Sequence, residues 1–157
     1  MPGIGPVLKI TLALVASSGK LKLRAVDALV AEYTERIQRY LPCEQKLFSS
    51  EEALLASLQT KTGRTSGKLV MLDGAGKAVS STEFAEAIGA LRDGGAQQVS
   101  LAIGPADGWS KEALRRADLT ISLGRITLPQ GLARVVLAEQ VYRALTILAG
   151  HPYHTGH

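Results

Sequence analysis

Apolar positions divide this chain into short continuous runs and longer periodic ones. Leu8 to Val15 is apolar and alternating, which predicts a first strand, and Ser17-Ser18-Gly19-Lys20 after it reads as a turn. From Leu23 to Tyr40 the apolar residues Val26, Leu29, Val30, Tyr33 and Ile37 fall on one helical stripe, with Pro42 as the stop. Gln45 to Phe48 is a candidate short strand, and Ser50 to Leu58 a helix capped by Ser49 or Ser50. Lys61 to Lys68 is polar, basic and glycine-rich, and predicts a loop.

The second half is more sharply punctuated. Leu69 to Leu72 is a buried strand by its unbroken apolar run, and Asp73-Gly74-Ala75-Gly76 is expected to turn the chain. Ser80 with Glu83 three residues on has the form of a capping box, opening a helix through Phe84, Ile88 and Leu91 that stops at Gly94-Gly95. Val99 to Ile103 is a strand, Ser110 caps a helix from Lys111 to Ala117, and Leu119 to Leu123 is the next strand. Gly131 to Ala149 is the longest helix, stopped by Gly150 and Pro152.

Strands alternating with helices predict an α/β fold of βαβ units, a mostly parallel sheet with helices on both faces. Ligands of such sheets sit outside the carboxyl ends of the strands. Three strands end in Leu72-Asp73-Gly74, Ile103-Gly104-Pro105 and Leu123-Gly124-Arg125. A tight turn accounts for any one of these glycines, but three at the ligand edge also suit backbone that must approach a cofactor closely. The last helix carries the stripe Leu137, Val141, Leu145 and Leu148, yet Leu132, Val135, Val136 and Ile147 make much of its remaining surface apolar. That predicts burial on more than one side, and so a subunit interface. Glu139 and Arg143, four apart, face the same way, as an ordinary surface pair also would.

Composition narrows this picture modestly. A chain of 157 residues, 46% hydrophobic and 20% charged, suits one folded domain. No apolar run reaches the roughly 18 residues of a membrane span, and Lys9 and Thr11 argue for a strand over a signal segment near the start. The expectation is therefore a cytoplasmic protein with no membrane partner. A single cysteine, Cys43, excludes an intrachain disulfide. A net charge of +4 permits a polyanionic partner without requiring one, and 4% aromatic residues argue against a sheet that stacks several bases.

Several familiar motifs fail. Gly74-Ala75-Gly76-Lys77 lacks the first glycine of a phosphate loop because Met71 stands there, and Gly63 to Lys68 is one residue too short. No Gly-x-Gly-x-x-Gly follows a strand. His151, His154 and His157 are the only histidines, all in the tail without carboxylates or cysteines beside them, so no metal site is expected. A Ser-His-Asp hydrolase would have to draw its base from that tail.

Dense matches lie from Leu69 to His154. Leu72-Asp73-x-x-Gly76-Lys77, Ser80-Ser81, Ile103-Gly104-x-x-x-Gly108, Leu119-x-x-Ser122-Leu123, Thr127-Leu128-Pro129, Arg134-Val135-x-Leu137-x-Glu139-Gln140-x-Tyr142-Arg143-Ala144 and Pro152-Tyr153-His154 resemble the ribosomal RNA large-subunit methyltransferase H family of the SPOUT class. Toward the N-terminus the likeness thins to the first strand and the helix carrying Tyr33 and Arg36. The resemblance implies a SPOUT-type α/β trefoil-knot fold, one domain over residues 1–157 with knot and cofactor site within about 69–154. It also implies a homodimer that uses S-adenosyl-L-methionine. The family methylates N3 of a pseudouridine in the helix 69 loop of large-subunit ribosomal RNA, on the assembled ribosome.

By the same resemblance, Leu72, Gly104, Leu123, Gly124, Arg125, Ile126, Thr127 and Leu128 would form the cofactor pocket. Arg134, Arg143 and His154 would face RNA, with His154, Arg143 and Tyr153 as the catalytic set and Glu139 organising Arg143. His154 is the candidate base because histidine alone titrates near neutrality unperturbed. Arg143 would stabilise the imide anion that develops on the base. Two positions depart from the family pattern: Gly104-Pro105 where Gly-Gly is common, and Gln130 where histidine is common, which leaves hydrogen bonding rather than ionisation there. Rival readings are an RNA-binding ribosome assembly factor without catalysis, and a SPOUT methyltransferase of transfer RNA.

Overall fold

A computed structural model describes residues 8–16, 24–58, 67–105 and 107–154, with His154 described by its backbone alone. The expected turn at Ser17–Lys20, the start of the first helix at Leu23, the loop at Lys61–Ser66 and His157 lie outside the described residues. In chain order the elements are β1 (Lys9–Val15), α1 (Arg24–Ile37), β2 (Cys43–Phe48), α2 (Glu51–Ser57), β3 (Lys68–Ala78), α3 (Ser81–Asp93), β4 (Gln98–Ile103), α4 (Lys111–Arg116), β5 (Leu119–Ser122) and α5 (Gln130–Ala149), followed by a 3-10 turn (Pro152–His154).

The strands form one sheet in the order β2-β1-β4-β3-β5, and every pairing among the described residues is parallel. The α/β expectation therefore holds. Alternation along each strand assigns the two faces. Ile10, Leu12, Val70, Leu72, Val99, Leu101 and Ile103 point into the layer that α1, α3 and α5 cover. Ala13, Val15, Leu69, Met71 and Ala102 point into the other, with Leu54 of α2, Ala113 of α4 and Trp109. Truncating a residue such as fully buried Leu101 to alanine should cost about 2–5 kcal/mol.

Local chemistry sets the helix ends. Ser50, rather than Ser49, caps α2 by accepting from the Ala53 N–H. Ser80 and Glu83 close the capping box of α3 with bonds of 3.1 and 2.8 Å. Gly150 ends α5 at φ 75°, a left-handed conformation that glycine adopts without strain. The first helix stops at Ile37, three residues before Tyr40. There Tyr40 and Leu41 both donate to the Ile37 carbonyl, tightening the last turn, while Gln38 Nε2 donates to the Cys43 carbonyl and ties that turn to β2.

One expectation is overturned. Asp73-Gly74-Ala75-Gly76 does not turn the chain; β3 runs through it to Ala78. Leu72 and Lys77 both pair with Ile121 of β5, so the segment between them is an irregular excursion within one strand. Gly76 explains why it can return: a Cβ there would lie 2.9 Å from backbone atoms of Thr120 and Ile121. Glycine serves backbone approach at this position, and a turn was the wrong inference from it.

Candidate functional site

Register brings together Leu72, where β3 leaves its regular pairing, and the ends of β4 and β5. Leu72 of β3 pairs with Ile103 of β4 on one side and Ile121 of β5 on the other. Gly104 and Leu123, just beyond, therefore emerge at the same carboxyl edge. Leu123 and Leu128 are half-buried, whereas Gly124, Arg125, Ile126 and Thr127 are exposed, Ile126 to 82%. Ser122 shapes the exit by donating to the Gly124 carbonyl at 2.7 Å and accepting from the Gly124 N–H at 3.1 Å. Gly124, at φ 131°, holds a conformation that side chains disfavour. The candidate cofactor residues thus form one continuous edge built mainly of backbone and apolar side chains, with Arg125 as the only ion in the set. Such an edge offers a ligand backbone hydrogen-bonding groups and apolar contact rather than charged side chains.

Two side chains frame this edge. Trp109, the only tryptophan, is buried and donates from Nε1 to the Leu72 carbonyl at 3.0 Å. Gly104 lies flat against it: a Cβ on Gly104 would sit 2.6 Å from Trp109 Cε2. Gln130, first residue of α5, donates from Nε2 to the carbonyls of Gly104 (2.7 Å) and Val15 (3.1 Å). Trp109 was missed in the sequence; a lone tryptophan directly after Gly108 in the loop leaving β4 was the available signal.

The tail assembles a different kind of site. Glu139 Oε2 accepts from Arg143 Nη2 (2.6 Å) and Nε (3.0 Å) and from the Tyr153 hydroxyl (3.0 Å), while Gln140 donates to its other oxygen at 2.7 Å. Ser81 of α3 holds Gln140 in turn. The hydrogen-bonded Glu139 carboxylate raises the Arg143 pKa further above its ordinary value and fixes where that guanidinium sits. Burial, then the Glu139 contact, pushes the Tyr153 hydroxyl up to about 12, so it is a hydrogen-bond donor and not a base.

All four tyrosines of the chain gather here. Tyr142 stands edge-on to Tyr153 at 4.7 Å and lies 6.3 Å from both Tyr33 and Tyr40. Arg36 lies over Tyr33 and Tyr142, Arg143 over Tyr153, and Tyr40 shares a hydrogen bond with His151. Tyr33, Arg36 and Tyr40 of the first helix and its turn were not among the expected site residues, although Tyr33 had been placed on a core stripe. His154 follows Tyr153 on the same 3-10 turn.

Of the expected target-side residues, the structure joins Arg143 and Tyr153 but not Arg134. Arg134 is held at the other end of α5 by Asp27 of α1 (2.9 Å) and Gln45 of β2 (3.3 Å).

Fold and edge together define a class. A profile described as "Predicted SPOUT methyltransferase" matches residues 8–154, and the chain belongs to that family of enzymes. Among its relatives, the ribosomal RNA large subunit methyltransferase H of Koribacter versatilis is 51% identical over 139 residues, covering 88% of this chain and 94% of that protein. The protein of that name from Sinorhizobium fredii is 39% identical over 150 residues, covering 87% and 94%. Solved structures are far more distant in sequence and bear on the fold alone. A probable methylase family protein from Haemophilus influenzae superposes with TM-score 0.55 at 11% identity, over 91% of this chain and 66% of that one. The SpoU methyltransferase AviRb from Streptomyces viridochromogenes, in complex with AdoMet, gives TM-score 0.54 at 12% identity, over 96% and 61%.

Proposed function

We propose that this protein transfers a methyl group from S-adenosyl-L-methionine to large-subunit ribosomal RNA, at N3 of a pseudouridine in the helix 69 loop of the assembled ribosome. The observation that carries the reading is the near-full-length match, at 51% identity, to a ribosomal RNA large subunit methyltransferase H. The backbone-built edge at Leu72, Gly104 and Leu123 to Leu128 supports the cofactor assignment. One domain spanning residues 1–157, the family's knot and a cytoplasmic location belong to the same reading. Among the described residues no helix is long and apolar enough to cross a membrane.

The cofactor supplies an electrophilic methyl on a sulfonium. The chain's own residues must hold the target nitrogen in line with it, exclude water and remove the imide proton. His154 takes that proton, and Arg143, held in place by Glu139, faces the negative charge that develops on the base. Tyr153 stays protonated and can only donate a hydrogen bond or offer its ring for stacking.

These two halves do not meet within one chain. Gln130 sits at the carboxyl edge, while Tyr153 packs on Tyr142, twelve residues or about 18 Å further along α5. A homodimer resolves the separation if the tail of one chain faces the cofactor edge of the other. Leu132, 50% exposed on α5, and Leu29, 43% exposed on α1, with half-buried Val135 and Val136, offer an apolar surface for that contact. Mass mapping of large-subunit RNA from cells lacking the protein tests the substrate: a pseudouridine in helix 69 should lose its methyl group and regain it with the gene. An RNA with unchanged methylation there overturns the assignment. Mixing an edge variant with a tail variant should recover part of the activity, and no recovery would overturn the shared site.

A further inference from the structure

Carbonyls at the carboxyl edge of a parallel sheet, or where a strand leaves its register as β3 does after Leu72, lack strand partners and must be satisfied by a loop, a ligand or water. In this chain three of them are taken by two side chains. Trp109 occupies the Leu72 carbonyl, and Gln130 places Nε2 on both the Val15 and the Gly104 carbonyls. Val15 and Gly104 end or follow β1 and β4, which are neighbours in the sheet. One carboxamide therefore bridges the ends of two adjacent strands from the first residue of α5. Pro129, at the helix cap, makes no side-chain bond, so Gln130 is the side chain that ties the start of α5 to the edge.

We propose that Gln130 is the positioning residue of the cofactor cleft. By clamping the end carbonyls of β1 and β4 it holds Gly104 against the Trp109 indole and fixes where the 123–128 segment enters α5. It acts through Gly104 and that segment, not on the reacting atoms. An amide suits the task because one nitrogen carries two hydrogens and does not titrate. The inference rests on the reading that this edge binds S-adenosylmethionine.

The test is calorimetric titration of the purified full-length protein with S-adenosylmethionine, alongside Trp109 fluorescence without cofactor. Gln130→Leu, which unpairs two carbonyls, should weaken cofactor binding about tenfold or more. It should also shift Trp109 emission in the cofactor-free protein. Gln130→His is the diagnostic variant. A neutral imidazole donates from one nitrogen only, while the imidazolium donates from both, so its cofactor affinity should rise as pH falls through about 6.5. The wild-type titration should lack that added dependence. A purely structural role would lower the melting temperature without producing it. If the wild type binds and Gln130→Leu binds within about twofold of it, with unchanged emission, the inference is wrong. Should Gln130→Leu fail to fold, a pH-independent Gln130→His affinity is equally decisive against it. A wild-type chain that binds no S-adenosylmethionine overturns the prior reading of the edge instead.

Discussion

The two ends of α5 achieve order by opposite means. At its start, neutral donors from Gln130 and Trp109 satisfy carbonyls at the ends of β1 and β4 and at the irregularity of β3, and the candidate cofactor edge is mostly backbone. From its middle to its finish, one carboxylate, Glu139, grips an arginine a turn further on and a tyrosine of the tail inside a cluster of rings. A backbone edge should tolerate changes of exposed side-chain identity but resist added volume where chains touch. A side-chain cluster should show the reverse sensitivity, failing on loss of a single charge.

Adding volume is expected to have the largest effect. Gly104→Ala places a methyl 2.6 Å from an indole that is itself buried and hydrogen-bonded to Leu72, so neither partner can move freely. Overpacking of this kind costs roughly 1–3 kcal/mol. The melting temperature should fall and S-adenosylmethionine binding should disappear in calorimetry. A Gly104→Ala protein that binds cofactor normally would show that the edge is looser than its geometry says.

Removing one charge tests the other end. Glu139→Gln keeps the shape but loses the carboxylate shared by Arg143 and Tyr153, both contacts being partly shielded. Hydrogen bonds to charged groups are worth about 1.5–3 kcal/mol, and the loss should approach the lower figure because the pair remains partly solvated. Turnover should fall with cofactor affinity unchanged. Equal loss of both would mean that the two ends are one cooperative unit.

This contrast also explains what could be read in the sequence. Side-chain chemistry announces itself by residue type and spacing, so Glu139 with Arg143 was visible as a pair, and the Ser80–Glu83 box as a helix start. Backbone chemistry does not. Gly76 looked like part of a turn because the same residue serves turns and close passages, and only the approach of Thr120 and Ile121 tells them apart. Likewise the clustering of Tyr33, Tyr40, Tyr142 and Tyr153 depends on α1 lying against α5, a long-range fact that no local pattern carries. Arg134 was grouped with Arg143 by the family resemblance, and the structure gives the two different partners, Asp27 for one and Glu139 for the other.

A smaller effect is expected from the Tyr153 hydroxyl alone. Tyr153→Phe removes one hydrogen bond to Glu139, worth about 0.5–1.5 kcal/mol, and leaves the ring contacts. Its raised pKa gives a sign to the pH dependence. The folded chain holds this proton more tightly than the unfolded chain, so the contribution is fully present below pH 10 and is lost as pH rises toward about 12. Thermal melts across that range should show a decline that is shallower in Tyr153→Phe. Identical slopes would place the hydroxyl outside the tail's stabilising network.

The least effect on stability should come from Ile126→Ser, and this makes it the cleanest probe of the edge. Ile126 is 82% exposed, so the folded chain gains almost nothing from burying it. A large apolar side chain left in water beside Gly124 and Thr127 has a physical use if a ligand covers it. Covering an isoleucine side chain is worth about 1.5–3 kcal/mol when burial is complete, and a partly covering ligand would recover a fraction of that. Ile126→Ser should therefore melt like the wild type while binding S-adenosylmethionine several-fold more weakly. If the melting temperature and the affinity are both unchanged, Ile126 faces away from the cofactor. The dimer contact with a partner's tail then becomes the better account of its exposure, and a shift of the monomer–dimer equilibrium in sedimentation should reveal it.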